Sequence, residues 1–148
     1  MTLSEKEKSL LKDLRSQEQL CVEKYAKYAN DACDDQLKNI FTQIDQQERH
    51  HLQLLDQINS GTVPQVSNEE QASKPNVQPS SCPQQQKQED AFMCSDSLAT
   101  EKHVSAEYNT CLFEFADPQI RNVLNHIQKE EQQHGEDLYT YLAANNMY

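Results

Sequence analysis

The sequence has no tryptophan, only two glycines, and no apolar run approaching the roughly 20 residues that span a bilayer. Scarce glycine removes the tight turns that strand hairpins need. The abundant Glu, Gln, Lys, Leu and Ala lose little freedom in a helix, so the composition points to an all-α chain. Basic residues are also in short supply: 13 Lys and Arg stand against 24 Asp and Glu, a net charge of −11. Such a chain repels phosphate backbones and anionic lipid, and no basic run interrupts it, which excludes nucleic acid and membrane as partners. The opening Met1-Thr2-Leu3-Ser4-Glu5-Lys6 lacks the basic-then-apolar order of a secretion signal, so synthesis in the cytoplasm and residence inside the cell are expected.

The five cysteines, Cys21, Cys33, Cys82, Cys94 and Cys111, contain no C-x-x-C, which argues against a zinc ribbon, a rubredoxin-type iron site or a thioredoxin-like motif. Cys21 and Cys111 fall on core-facing rows and are expected as buried thiols. Cys82 sits in a polar stretch and is expected to be an exposed thiol, open to cross-linking.

At 148 residues the chain suits one domain built from two helical hairpins sharing a core. Ser4, followed by Glu5 and Glu7, starts a helix expected to run to about Ala32, with Leu11, Leu14, Glu18, Cys21, Tyr25, Tyr28 and Ala32 inward. Asp34 or Asp35 caps a second, antiparallel helix over about 36–59, with Leu37, Phe41, Ile44, Glu48, His51, Leu55 and Ile58 inward and Ile40 and Leu52 broadening the stripe. Gly61 ends it. Residues 60–90, rich in Gln, Ser, Asn and Pro, read as a disordered crossover long enough to traverse a bundle. A second hairpin over 91–148 follows, its first helix running from near Asp90 to near Phe115 with Cys94, Ser97 or Leu98, Glu101, Val104, Tyr108, Cys111 and Phe115 inward. Asp117-Pro118 then starts a last helix, to about Asn145, with Ile120, Leu124, Ile127, Glu131, His134, Leu138 and Tyr141 inward.

Acids interrupt all four rows, and they do so at one offset. Glu18 and Glu101, Tyr25 and Tyr108, Glu48 and Glu131, and His51 and His134 are each 83 residues apart. Each half therefore reads Glu-x6-Tyr, a gap, then Glu-x-x-His, whose two donors lie on one helix face about a turn apart. Burying four ionised carboxylates without partners is costly, and they would also repel one another. Two divalent cations would balance them, with each imidazole as a neutral nitrogen donor. One Glu from each of two helices and Glu-x-x-His from each of the others is the donor pattern of di-metal carboxylate bundles. The expected ligands are Glu18, Glu48, His51, Glu101, Glu131 and His134, with Tyr25 and Tyr108 as hydroxyl donors to the liganding glutamates. His50, His103 and His126 fall off the rows and are expected at the surface, as are Glu23, Glu107, Glu130 and Glu136.

This pattern resembles the ferritin-like superfamily, particularly rubrerythrin-type proteins. Within it, Asp117-Pro118-Gln119-Ile120-Arg121-Asn122-Val123-Leu124 followed by Glu130-Glu131-Gln132-Gln133-His134 is similar to the spore coat F proteins of endospore-forming bacteria. The resemblance implies a ferritin-like four-helix bundle with two iron or manganese ions between the hairpins. It implies either a structural or protective role in the spore coat or, alternatively, a peroxide- or oxygen-reactive oxidoreductase. No rubredoxin-like cysteine module is present to deliver electrons. Candidate partners are peroxide or oxygen, other coat proteins, and a second copy of the chain as a homodimer.

Overall fold

The computed structural model describes residues 1–67 and 73–148. Among them are four helices, α1 (Glu5–Asp31), α2 (Asp35–Asn59), α3 (Gln84–Leu112) and α4 (Pro118–Ala144). The local signals explain most of the boundaries. Ser4 and Glu7 form a reciprocal capping box: the Ser4 backbone N–H donates to the Glu7 carboxylate at 2.7 Å, and the Glu7 N–H donates to the Ser4 hydroxyl at 3.2 Å. Asp34 and Asp117 cap α2 and α4, each accepting from the backbone N–H two residues on, and Pro118 occupies the first position of α4. Gly61 follows α2 at φ 92°, a backbone conformation open to glycine without strain.

The two turns orient the bundle. Asp90, at the start of α3, accepts from the backbone N–H groups of Cys33 and Asp34 at 2.9 Å each, and Tyr141, near the end of α4, donates to Asp34 at 2.9 Å. At the opposite end Glu7 accepts from the Ala116 N–H at 2.9 Å. The α1–α2 turn thus shares one end with the start of α3 and the close of α4. It follows that α2 and α3 run parallel and that the crossover returns the chain along the bundle, about 37 Å for a helix of this length. Glu7 and Asp90 perform the same task on opposite turns, and they too are 83 residues apart.

Packing is close within the α1–α2 and α3–α4 hairpins and sparser between them, where α1 meets α3 and α2 meets α4. The shared core holds Leu11, Leu14, Phe41, Ile44 and Leu55 from the first hairpin and Ile120, Leu124, Ile127, Leu138 and Tyr141 from the second, all essentially inaccessible. Cys21 and Cys111 are buried as expected.

Three expectations change. First, α3 begins at Gln84 rather than near Asp90, so residues 84–90 of the expected 60–90 linker are helical. The Gln84-Gln85-Gln86 run is polar enough to read as linker, yet glutamine is a good helix former, and Pro83 ends the irregular stretch. The remaining crossover is held at several points: Gln36 and Gln78 exchange hydrogen bonds, and the Ser80 N–H donates to Asn145. Part of it, residues 68–72, lies outside the described residues. Second, Cys82 is not a free thiol, because it is joined to Cys33 at the α1–α2 turn in a disulfide whose Cα atoms are 6.4 Å apart. Third, Leu54 rather than Leu52 lies fully in the core, since helical rotation carries position 54 further inward beside Leu55.

Candidate metal centre

All six expected ligands converge at mid-bundle. Glu18, Glu48, His51 and His134 are 0% exposed, Glu131 1% and Glu101 3%. Their donor atoms form two overlapping groups, Glu18 with Glu48, His51 and Glu131, and Glu101 with Glu131, His134 and Glu48, each with atoms within 4.8 Å of one another. Every helix contributes. A three-residue spacing on α2 and on α4 places glutamate and histidine a turn apart on the inward face, and aliphatic residues above and below close the site to water.

Glu48 and Glu131 lie at the centre and face both ways. His51 Nδ1 is 3.3 Å from Glu48 Oε2 and 3.2 Å from Glu131 Oε1. His134 Nδ1 is 3.2 Å from Glu48 Oε1 and 3.8 Å from Glu131 Oε2. Each central carboxylate therefore turns one oxygen to each group, the disposition a bridging ligand requires. Glu18 and Glu101 serve one group each, at 3.8 Å from His51 Nδ1 and 3.5 Å from His134 Nδ1. The imidazoles stack with ring centroids 5.7 Å apart.

The tyrosines cross between halves. Tyr25 donates to Glu101 Oε1 at 2.5 Å, and Tyr108 donates to Glu18 Oε1. Burial, reinforced by the neighbouring glutamate charges, raises both phenols well above their ordinary range and keeps them as donors. The Tyr108 hydroxyl occupies Oε1 of Glu18 and leaves Oε2 facing His51, whereas Oε1 of Glu101 both accepts from Tyr25 and lies nearest His134 Nδ1.

Without an ion, the carboxylates divide their protons unequally. Burial and then the Glu48 charge raise Glu18, while burial and then the Glu131 charge raise Glu101. Burial would also raise Glu48, but the close approach of Glu18, His134 and His51 outweighs it and holds this group well below the usual carboxylate range. For Glu131, burial and the Glu48 charge push upward, and the neighbouring Glu101, His134 and His51 bring the net effect below the ordinary value. Both histidines are raised well above theirs, against the effect of burial, by the surrounding acids.

Several inward atoms nevertheless remain without hydrogen-bond partners: Glu18 Oε2, Glu48 Oε1, Glu101 Oε2, both oxygens of Glu131 and His134 Nδ1. Buried polar atoms are seldom left unsatisfied, and six around one point form a donor set that fits metal ions. Carboxylate oxygens with one imidazole nitrogen per group suit a divalent first-row metal.

Two residues that sequence reasoning placed elsewhere belong to the site. Glu130, expected on the solvated face, reaches Nε2 of His51 with Oε2 at 2.6 Å and has its side chain only 26% exposed. His126, expected at the surface, is 15% exposed and lies 3.4 Å from Glu130 Oε1. Gln47 does for His134 what Glu130 does for His51, with Oε1 2.5 Å from His134 Nε2. The same offset of 83 links Gln47 to Glu130 and was the available signal. His50 and His103 stay exposed as expected.

Residues 89–148, the second hairpin from early α3 onward, match the family model of the Coat F domain. No curated protein and no solved structure matches the chain. The Coat F resemblance and the all-α four-helix architecture read from the sequence are thereby borne out. No helix among the described residues is long and apolar enough to cross a membrane.

Proposed function

We propose that this chain is a di-metal carboxylate protein that binds two iron or manganese ions in its bundle core and serves a structural or protective role in the spore coat. The observation that carries the metal assignment is the convergence of six buried side chains from four helices on a point where six polar atoms lack partners. Glu48 and Glu131 would bridge the ions, Glu18 and His51 would complete one position, and Glu101 and His134 the other. Bound ions would act as Lewis acids and as electrostatic cross-links between the carboxylates.

The structural reading is supported by where the donors come from. The hairpins pack sparsely on each other, and each donor group takes residues from both. Ion binding would therefore fasten one hairpin to the other where their backbones stand furthest apart. The Coat F match over residues 89–148 supports the spore setting.

Elemental analysis of the purified chain tests the assignment. Glu48→Ala and Glu131→Ala, which remove a residue facing both groups, should lose the most metal, and His51→Ala and His134→Ala should lose about one ion each. Unchanged stoichiometry in these variants would refute it. Detection only in vegetative cytoplasm, never in spores, would remove the coat role.

A second reading, a peroxide- or oxygen-reactive oxidoreductase, is supported by the fact that each group offers four protein donors, fewer than the six that octahedral manganese accepts. Metal-loaded protein that consumes no peroxide with any reductant would exclude it.

A further inference from the structure

The two halves agree at every ligating position and at both tyrosines, so the place where they differ stands out. The residue ahead of each central glutamate reaches across the bundle to the outer nitrogen of the opposite half's imidazole. In one direction that residue is Glu130, with Oε2 2.6 Å from His51 Nε2; in the other it is Gln47, with Oε1 2.5 Å from His134 Nε2. Both histidines turn Nδ1 inward, so both Nε2 atoms donate to these outer partners. One imidazole donates to a carboxylate and the other to a neutral amide.

We infer that the two metal positions are unequal, that the Glu18/His51 position fills first, and that residue 130 sets the difference. This rests on the metal reading above. A hydrogen bond to an ionised acceptor is roughly twice as strong as one between neutral groups. A carboxylate behind a liganding histidine also raises the basicity of its inward nitrogen, and loss of such a partner typically costs about 10–100-fold in metal affinity. Glu130 is held from its far side as well, where Oε1 lies 3.4 Å from His126 Nε2. Gln47 orients His134 equally well but adds no charge. Glu130 and Gln47 are positioning residues, acting only through the imidazoles they hold.

Cobalt(II) titrated into the metal-free full-length chain tests this through visible absorption and through anomalous diffraction at one equivalent. The wild type should bind in two steps separated by about tenfold or more, with the first cobalt beside His51. Glu130→Gln keeps a hydrogen-bond acceptor and should merge the two steps, while the double variant Gln47→Glu/Glu130→Gln, with formal charge unchanged, should place the first cobalt beside His134. Melting of each metal-free variant by circular dichroism verifies that the fold is intact. Equal occupancy of the two positions at one equivalent in the wild type, or stepwise binding unaltered by Glu130→Gln, overturns the inference and leaves the metal reading standing. A wild-type chain that takes up no cobalt overturns both.

Discussion

Replacing Glu18 with Gln separates a ligand from a merely structural buried acid. In the metal-free chain burial and the Glu48 charge both raise Glu18, which disfavours its charged form, and a neutral Gln side chain of the same shape still accepts the Tyr108 hydroxyl bond. The substitution keeps the side chain's shape and its bond to Tyr108, so it should move metal-free melting much less than it moves the loaded protein. The loaded protein should behave differently. An ion present at 100 times its dissociation constant stabilises the fold by about 2.7 kcal/mol, so two such ions contribute about 5 kcal/mol. For a chain of this size, each kcal/mol moves the melting point by about 2–4 °C. Manganese should raise the wild-type melting point by about 10–20 °C, and Glu18→Gln, which disables one position, should forfeit about 5–11 °C of that rise. The assay is calorimetric melting at fixed free manganese against a chelated control. If chelated and loaded wild type melt together, the ions do not fasten the hairpins. If Glu18→Gln lowers the metal-free melting point as much as the loaded one, Glu18 is a packing residue.

Three further outcomes follow from the geometry. Glu18 and Glu101 are raised by burial, and His51 and His134 are raised by the acids around them, so all four must shed protons to coordinate an ion. Apparent manganese affinity should therefore fall as pH decreases, and affinity independent of pH in competition titrations would contradict the ligand assignment. Burial would raise the Glu7 carboxyl, but the bonds it accepts from the Ala116 and Ser4 backbone N–H groups outweigh that and lower it below the ordinary value. That contribution is present above the unfolded carboxyl range and lost as pH falls through the folded one, so Glu7→Ala should cost about 1–2 kcal/mol in urea unfolding at neutral pH and progressively less in acid. The Cys33–Cys82 bond closes a sequence separation of 49 residues, for which the chain-entropy estimate is about 4 kcal/mol. Unfolding with and without reductant should differ in that direction, and identical midpoints would show that the crosslink contributes nothing.

The offset of 83 made much of the centre legible. It identified every residue of the two donor groups, because buried glutamates at core positions have no other economical explanation in a helical row. The same offset contained Gln47 and Glu130, but they sit one step off the inward row, where a helical projection assigns them to solvent. Only the bundle's cross-section reveals that a long side chain at that angle can bend around to an imidazole on a neighbouring helix. The start of α3 was obscured by composition, since the residues that make a segment too polar to form a core can still continue a helix anchored further along. The partner of Cys82 could not be read at all: pairing depends on where the crossover passes the α1–α2 turn, and five cysteines leave many combinations open.

The Cys33–Cys82 bond gives the molecule a tolerance to scission. One cysteine precedes the crossover and the other lies near its far end, so a protease that nicks the stretch between α2 and Cys82 produces two pieces that stay one covalent molecule. Each piece would carry one hairpin and three of the six donors. A nicked chain would migrate intact until a thiol separates it, and its halves would remain in register meanwhile.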